Sequence, residues 1–279
     1  MKVLVTGCNS GLGKYISETI ECIGVSRSNR KEIIEKYKSS GVDLIIHCAF
    51  GGQGGFDQNE VNDYFKYVDD NILFTKELTE IPHKKIVYIS SLAVYEKEYM
   101  NYKHTKLYAE SIINTLGKSP LILRCPAMLG KYMRPNNVLR LVKDKKSKLS
   151  LTKESNFNYI LHSDILDFIL FAFNWAVKGI VDFTSSENIT LEAIVEILKA
   201  SPEYGKYTFK TPLISNDKLV KYNKNLDKTS KEAPAEIKSS GRASASIGLL
   251  NEKSTLHNEP LVAESNANKK TLMSELVCE

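Results

Sequence analysis

Ser90-Ser91-Leu92-Ala93-Val94-Tyr95 is followed closely by Asn101-Tyr102-Lys103-His104-Thr105-Lys106. Tyr102 and Lys106 stand four apart, so a helix over this segment puts both side chains on one face. A phenol beside an ammonium is a proton donor and acceptor, and the neighbouring charge draws its pKa down from about 10. A serine hydroxyl at the end of the apolar strand Lys85–Ile89 is placed to bond an oxygen that gains or loses that proton. Ser91, Tyr102 and Lys106 are therefore the candidate catalytic set, and they suit the polar half of a hydride transfer. Each has a plainer reading, since Tyr-x-x-x-Lys pairs decorate helix surfaces and serines end many strands. The hydride itself needs a nicotinamide, so the rest of the chain must supply its site.

The amino terminus meets that requirement. Residues 2–6 are a short apolar run ending in Gly7-Cys8-Asn9-Ser10-Gly11-Leu12-Gly13, and Lys14 to Glu21 then has helical spacing. Strand, glycine turn and helix together form a dinucleotide cradle, in which backbone N–H groups and the helix N-terminus approach a pyrophosphate. Gly7, Asn9, Ser10, Gly11, Leu12 and Gly13 are the expected contacts. The turn lacks the Lys-Ser/Thr ending of a nucleoside triphosphate loop. Ile23 to Arg27 reads as the second strand. No Asp or Glu stands at its end to take the ribose 2′-hydroxyl of NAD; Ser26, Arg27, Ser28 and Arg30 stand there instead. That charge pattern predicts NADP held by Arg27, with NAD as the alternative.

The elements that must position these residues alternate. Lys31–Ser40 reads as a helix, Val42–Ala49 as a buried strand, and Phe50–Phe56 as a loop at its carboxyl end. A long helix over 58–80 contains Asn71. The strand 85–90, the helix 101–116 and the strand Pro120–Arg124 follow. The pattern predicts an α/β fold, a doubly wound parallel sheet of Rossmann type with about six core strands. Residues 1–130 are the expected dinucleotide-binding core and 131–215 a small C-terminal substrate lid. In that lid Leu149–Leu151 and Tyr159–Leu161 read as short strands, Ser163 as the cap of a helix over Asp164–Val177, and Thr190 as the cap of Leu191–Ala200. Residues 216–279, poor in aromatics and rich in Lys, Ser, Asn and Glu, are expected to form a mostly disordered tail, with a weak partner-binding helix near Leu272 and Leu276.

Whole-chain numbers narrow the class. A 42% apolar and 25% charged share is ordinary for a soluble globular protein, and a net charge of +5 over 279 residues falls short of a nucleic-acid footprint. The five cysteines, at 8, 22, 48, 125 and 278, show no metal spacing and read as reduced thiols. No apolar run is long enough to span a membrane, and Met1-Lys2 leads directly into the first strand. The expected setting is cytoplasmic, with no metal, nucleic acid or membrane partner.

The motifs resemble those of the short-chain dehydrogenase/reductase superfamily, and within it the extended branch of NAD-dependent epimerases and dehydratases of nucleotide sugars. Thr6-Gly7-x-x-x-Gly11-x-Gly13 matches the cofactor turn, in the compact branch's spacing. Asp43 to Ala49 matches the strand ending in His-x-Ala, which makes Cys48 and Ala49 cofactor contacts. Ser90-Ser91-x-x-Val94-Tyr95 and Tyr102-x-x-x-Lys106-x-x-x-Glu110 match the catalytic segments, with Ser90 beside the cofactor. Arg124-x-Pro126-x-x-x-Gly130 matches the turn that puts Pro126 against the nicotinamide end. Asn71 falls at the family's asparagine behind the active site, which implies a place among the cofactor-binding residues. His162-x-Asp164 and Thr190-Leu191-x-Ala193 fall at similar lid positions. Between Arg27 and Gly41 there is room for one helix and none for the family's third strand, so the chain resembles a trimmed member.

The resemblance implies a nucleotide-sugar substrate and a homodimer built through the long helices flanking the sheet. Leu92 and Ala93 stand where the family's dehydratases carry an acidic pair, which argues against that reaction. A keto-sugar reductase is the preferred expectation. An NAD-dependent epimerase is the alternative, and a non-catalytic dinucleotide sensor is disfavoured by retention of Ser91, Tyr102 and Lys106.

Overall fold

Val3, Leu4 and Val5 are buried on both faces, as a central strand of a covered parallel sheet requires. The computed structural model describes residues 1–52, 63–97 and 100–240. In chain order the core elements are β1 (Val3–Thr6), α1 (Gly11–Thr19), β2 (Ile23–Val25), α2 (Arg30–Ser40) and β3 (Val42–His47). Next come α3 (Tyr64–Val68), a π-helical turn over Asp69–Leu73, α4 (Phe74–Glu80), β4 (His83–Ser91), a 3₁₀ turn over Leu92–Tyr95 and α5 (Asn101–Leu116). Then follow β5 (Pro120–Cys125), β6 (Ala127–Leu129), α6 (Asn137–Lys143), β7 (Asn156–Phe157), β8 (Tyr159–Leu161) and α7 (His162–Asn174). The last are β9 (Gly179–Asp182), β10 (Ile189–Thr190), α8 (Leu191–Leu198), α9 (Asp217–Tyr222) and α10 (Glu232–Ser240).

Six strands form one sheet in the order β2-β1-β3-β4-β5-β9, and every pairing in it is parallel. Alternate residues of the strands serve two faces. Val3, Val5, Ile46, Val87, Ile89 and Leu123 pack with α1 and α7 on one side. Leu4, Ile45, Ile86, Tyr88 and Ile122 pack with α2, α4 and α5 on the other. Each Leu or Ile so buried contributes about 1.5–3 kcal/mol. The chain leaves β1 outward to β2 and then crosses back to β3. That reversal opens a crevice at the carboxyl ends of β1 and β3, where open α/β sheets bind ligands.

A second apolar cluster joins β6, β8, α6, α8 and α10 through Leu129, Val138, Leu141, Leu161, Leu191, Ile194 and Ile237. Its last member corrects the expected disorder from 216 onward. Residues 217–222 and 232–240 are helical, with Leu219, Leu226, Ala233 and Ile237 buried. Ser230 accepts the Tyr159 N–H through Oγ at 3.0 Å, and Lys228 pairs with Asp164 at 2.8 Å. A few well-spaced anchors hold a segment whose average composition is polar. Two local readings also change: α7 starts at His162 with Leu161 as its cap residue, and residues 148 and 151 form only isolated bridges to 203 and 207. The cap at Thr190 is as expected, its hydroxyl accepting the Ala193 N–H at 3.2 Å. The expected loop end at 53–56, the helix start at 58, and the tail from 241, with Leu272, Leu276 and Cys278, lie outside the described residues. Among the described residues no helix is long and apolar enough to cross a membrane.

Candidate active site

The crevice is a cavity of about 660 Å³, within the range of small-molecule and cofactor sites. One wall is the glycine turn. Gly7 has φ +71°, and a Cβ on Gly13 would lie 2.4 Å from the Gly7 carbonyl oxygen. Turn and helix therefore meet at a distance only glycine allows. Asn9, Ser10, Gly11 and Leu12 line the same wall. Cys48 and Ala49, at the end of β3, line the facing wall.

A buried polar chain fixes that facing wall. Thr75 donates to the Asn71 carbonyl at 2.5 Å, so its oxygen accepts from His47 Nε2 at 2.9 Å. His47 Nδ1 is then the acceptor for the Thr6 hydroxyl at 2.7 Å, and Thr6 Oγ1 accepts the Ala49 N–H at 2.9 Å. Each hydroxyl has one proton to give, which sets the tautomer of His47. Burial and the charge of Lys106 hold this imidazole neutral, its pKa depressed to about 3. The chain ties β1, β3 and α4 together directly beneath the loop Cys48–Gly51.

Ser91, Tyr102 and Lys106 converge at the far end of the cavity. Tyr102 and Lys106 line it, together with Ser90 and Pro126. Ser91 is hydrogen-bonded to Tyr102, and its hydroxyl also accepts the Ala93 N–H at 3.2 Å. Lys106 donates to the Ile89 carbonyl at 2.8 Å, and its ammonium lies 4.8 Å and 4.9 Å from the ring centres of Tyr88 and Phe50. No salt bridge reaches Lys106 among the described residues. Burial, reinforced by the charge of Arg134, lowers its pKa from 10.5 to about 7.

The electrostatics of Tyr102 differ from the sequence expectation. Burial raises its pKa above 10; the Ser91 hydrogen bond and the charge of Arg134 act against that rise. Lys106 is not the cation that draws it down, because Lys106 is itself desolvated and readily loses its proton. Arg134 is exposed at the cavity mouth in the loop after β6. Nothing periodic marks that loop in the sequence, and Arg134 went unread.

Behind the catalytic end, Glu110 and Arg124 form a buried pair at 2.6 Å. Ser90 donates to Glu110 at 2.5 Å, Arg124 donates to the Tyr95 hydroxyl at 2.7 Å, and Tyr95 donates to Asp182 at 2.8 Å. The Glu110 carboxylate holds Arg124 protonated beyond its ordinary range. This network braces the turn that carries Ser91.

Asn71 is placed differently from the expectation. Its amide accepts the Gly51 N–H at 2.8 Å and donates to the Gly51 and Tyr67 carbonyls at 2.9 and 2.8 Å. With those bonds made, it clamps the loop after β3 and is not among the residues lining the cavity.

At the opposite end Arg27 lines the cavity as expected, but the acid that the end of β2 lacks comes from elsewhere. Asp70, in the π-helical turn, pairs with Arg27 at 3.0 Å and with Lys66 at 3.4 Å. Arg30 is committed to Asp69 at 2.7 Å and Glu77 at 2.8 Å and lies 4.6 Å from the Phe74 ring centre. The basic corner read from local sequence is charge-balanced in the fold.

In sequence, no family model and no curated protein matches the chain. Solved structures do match it in fold. The UDP-glucuronic acid 4-epimerase of Bacillus cereus, in complex with UDP-glucuronic acid and NAD, aligns at TM-score 0.67 and 15% identity over 89% of this chain and 100% of that one. RMD from Pseudomonas aeruginosa, complexed with NADPH, aligns at TM-score 0.69 and 15% identity over 86% and 99%. A UDP-galactose 4-epimerase aligns at TM-score 0.62 and 17% identity over 89% and 100%. These likenesses show the fold, an α/β Rossmann-like parallel sheet with flanking helices. The glycine turn and the end of β2 stand at one end of the cavity, and Tyr102 and Lys106 at the other. The residues present fit a dinucleotide on the evidence of the glycine cradle itself.

Proposed function

We propose that this protein is a nicotinamide-dinucleotide oxidoreductase of nucleotide sugars, acting as a keto-sugar reductase. The observation that carries the reading is that Tyr102, hydrogen-bonded to Ser91, and Lys106 line the cavity that also holds the glycine turn. A bound NAD(P)H would supply the hydride. Tyr102 is the proton donor to the nascent alcohol, which its raised pKa suits. Ser91 bonds the same substrate oxygen. Lys106 offers its ammonium to the ribose hydroxyls, exchanging ring faces for oxygen acceptors as it does so. Arg134, at the mouth, is the cation available to a nucleotide diphosphate and contributes charge at Tyr102. The described neighbours bind UDP-glucuronic acid with NAD, or NADPH, which supports the substrate and cofactor classes.

The reductase direction is supported by an adenosine end that lies against β2, a three-residue edge strand. An open edge favours exchange of the dinucleotide at each turnover. NADP was the cofactor expected with it. The Arg27–Asp70 pair favours a second reading, an epimerase that retains NAD. A homodimer belongs to the same proposal, with exposed Leu73 and Tyr108 on the flanking helical segments available to it. Incubation with NADH or NADPH and a 4-keto nucleotide sugar, and in parallel with NAD and a 4-hydroxy nucleotide sugar, decides between the reactions. Net oxidation of the dinucleotide is expected. Interconversion of two nucleotide sugars with no net change in absorbance at the nicotinamide band would replace the reductase by the epimerase.

A further inference from the structure

Arg27 is the residue on which a preference for NADP would rest, and its surroundings argue the other way. Its guanidinium is 65% exposed, while the Asp70 carboxylate it meets at 3.0 Å is only 10% exposed. Asp70 cannot swing aside freely. Its Cβ lies 2.6 Å from where a Cβ on Gly51 would be, so loop and helix turn are in contact there. Both of these ion pairs, to Arg27 and Lys66, use Oδ2, and Asp70 itself lines the cavity beside Arg27. The other nearby guanidinium, Arg30, is already divided between Asp69 and Glu77. A 2′-phosphate arriving at Arg27 would therefore share that cation with a fixed carboxylate and be repelled by it. A 2′-hydroxyl has the opposite need, an anionic acceptor, and Asp70 is one.

We propose that Asp70 sets the choice of cofactor: it replaces the acid missing from the end of β2 with one from the π-helical turn, accepts the adenosine 2′-hydroxyl of NAD, and withholds Arg27 from the 2′-phosphate of NADP. The inference rests on the reading of this cavity as a dinucleotide site. It makes Asp70 a specificity determinant that acts by direct contact, and Arg27 its partner.

Affinities for NADH and NADPH, measured by fluorescence titration of wild type, Asp70→Asn and Arg27→Ala, test it. Asp70→Asn keeps the shape and removes the charge, and it should shift the affinity ratio toward NADPH by about tenfold. Arg27→Ala should shift it toward NADH. An Asp70→Asn ratio that is unchanged, or that moves toward NADH, overturns the inference while dinucleotide binding itself still upholds the reading of the cavity. Binding of neither dinucleotide to wild type overturns that reading and the inference with it. Should Asp70→Asn fail to fold, wild type alone decides. Adenosine 2′,5′-bisphosphate binding no tighter than adenosine 5′-monophosphate supports the role of Asp70, and tighter binding by about tenfold or more overturns it.

Discussion

The two ends of one cavity treat positive charge in opposite ways. At the β2 end, Arg27 and Arg30 are paired with carboxylates. At the catalytic end, Lys106 is buried against a carbonyl and aromatic rings, and its pKa falls to about 7. The first arrangement fixes its charges in place by pairing each with an anion. The second leaves a cation that responds to pH and to an arriving anion. The difference lies in what surrounds each cation: carboxylates at one end, and at the other a desolvated pocket.

The sharpest way to separate the two ends is Tyr102→Phe. It removes the transferable proton and keeps the ring, so turnover should fall about 10²–10⁴-fold while NAD(P)H affinity stays near wild type. An equal loss of affinity and rate would make Tyr102 structural. The next largest effect is at the adenosine end. Arg30→Met leaves Asp69 and Glu77 without their shared partner, and urea unfolding should show a loss of about 1–2 kcal/mol, between the values for exposed and buried pairs.

Lys106→Met should do the reverse for stability. Below pH 7 both folded and unfolded states carry the Lys106 proton, and the folded state bears the full cost of a buried charge. Between about 7 and 10.5 only the unfolded state holds that proton, so the contribution of Lys106 to wild-type stability rises with pH. The variant should melt above wild type at pH 6, and its advantage should shrink toward pH 10. A variant less stable than wild type at pH 6 would show that Lys106 is compensated. The smallest effect concerns binding. NADH affinity should fall a few-fold, about two- to fivefold, as pH rises through 7 and Lys106 loses its charge. Adenosine 5′-monophosphate, which reaches only the other end, should bind equally at pH 6 and 8. A parallel pH dependence for both ligands would break the comparison.

The sheet was legible because its strands are buried on both faces, so Leu44–Ile46 and Ile86–Ile89 read as unbroken apolar runs. Tyr102 and Lys106 were legible because helical spacing is a local property. Asp70 was not, since its approach to Arg27 exists only after the crossover from β2 to β3 has been made. Ordering of Lys224–Ser240 was hidden for a related reason: Leu226, Ala233 and Ile237 matter by where they land, and composition averages them away. The raised pKa of Tyr102 was missed because spacing reveals a nearby cation but not how dry the site is.

The π-helical turn at Asp69–Leu73 is one residue more than a continuous α-helix from Tyr64 to Glu80 would need. Each residue of an α-helix advances the side-chain direction by about 100°. Losing a single codon at Ile72 would let the helix close into regular register. Phe74, Thr75 and Leu78 would stay anchored in the core, while Asp69, Asp70 and Asn71 would all rotate together away from Arg30, Arg27 and Gly51. A lineage that shed that codon would keep its glycine turn and its Tyr102–Lys106 pair, yet would have to rebuild the charged corner around Arg27 and Arg30.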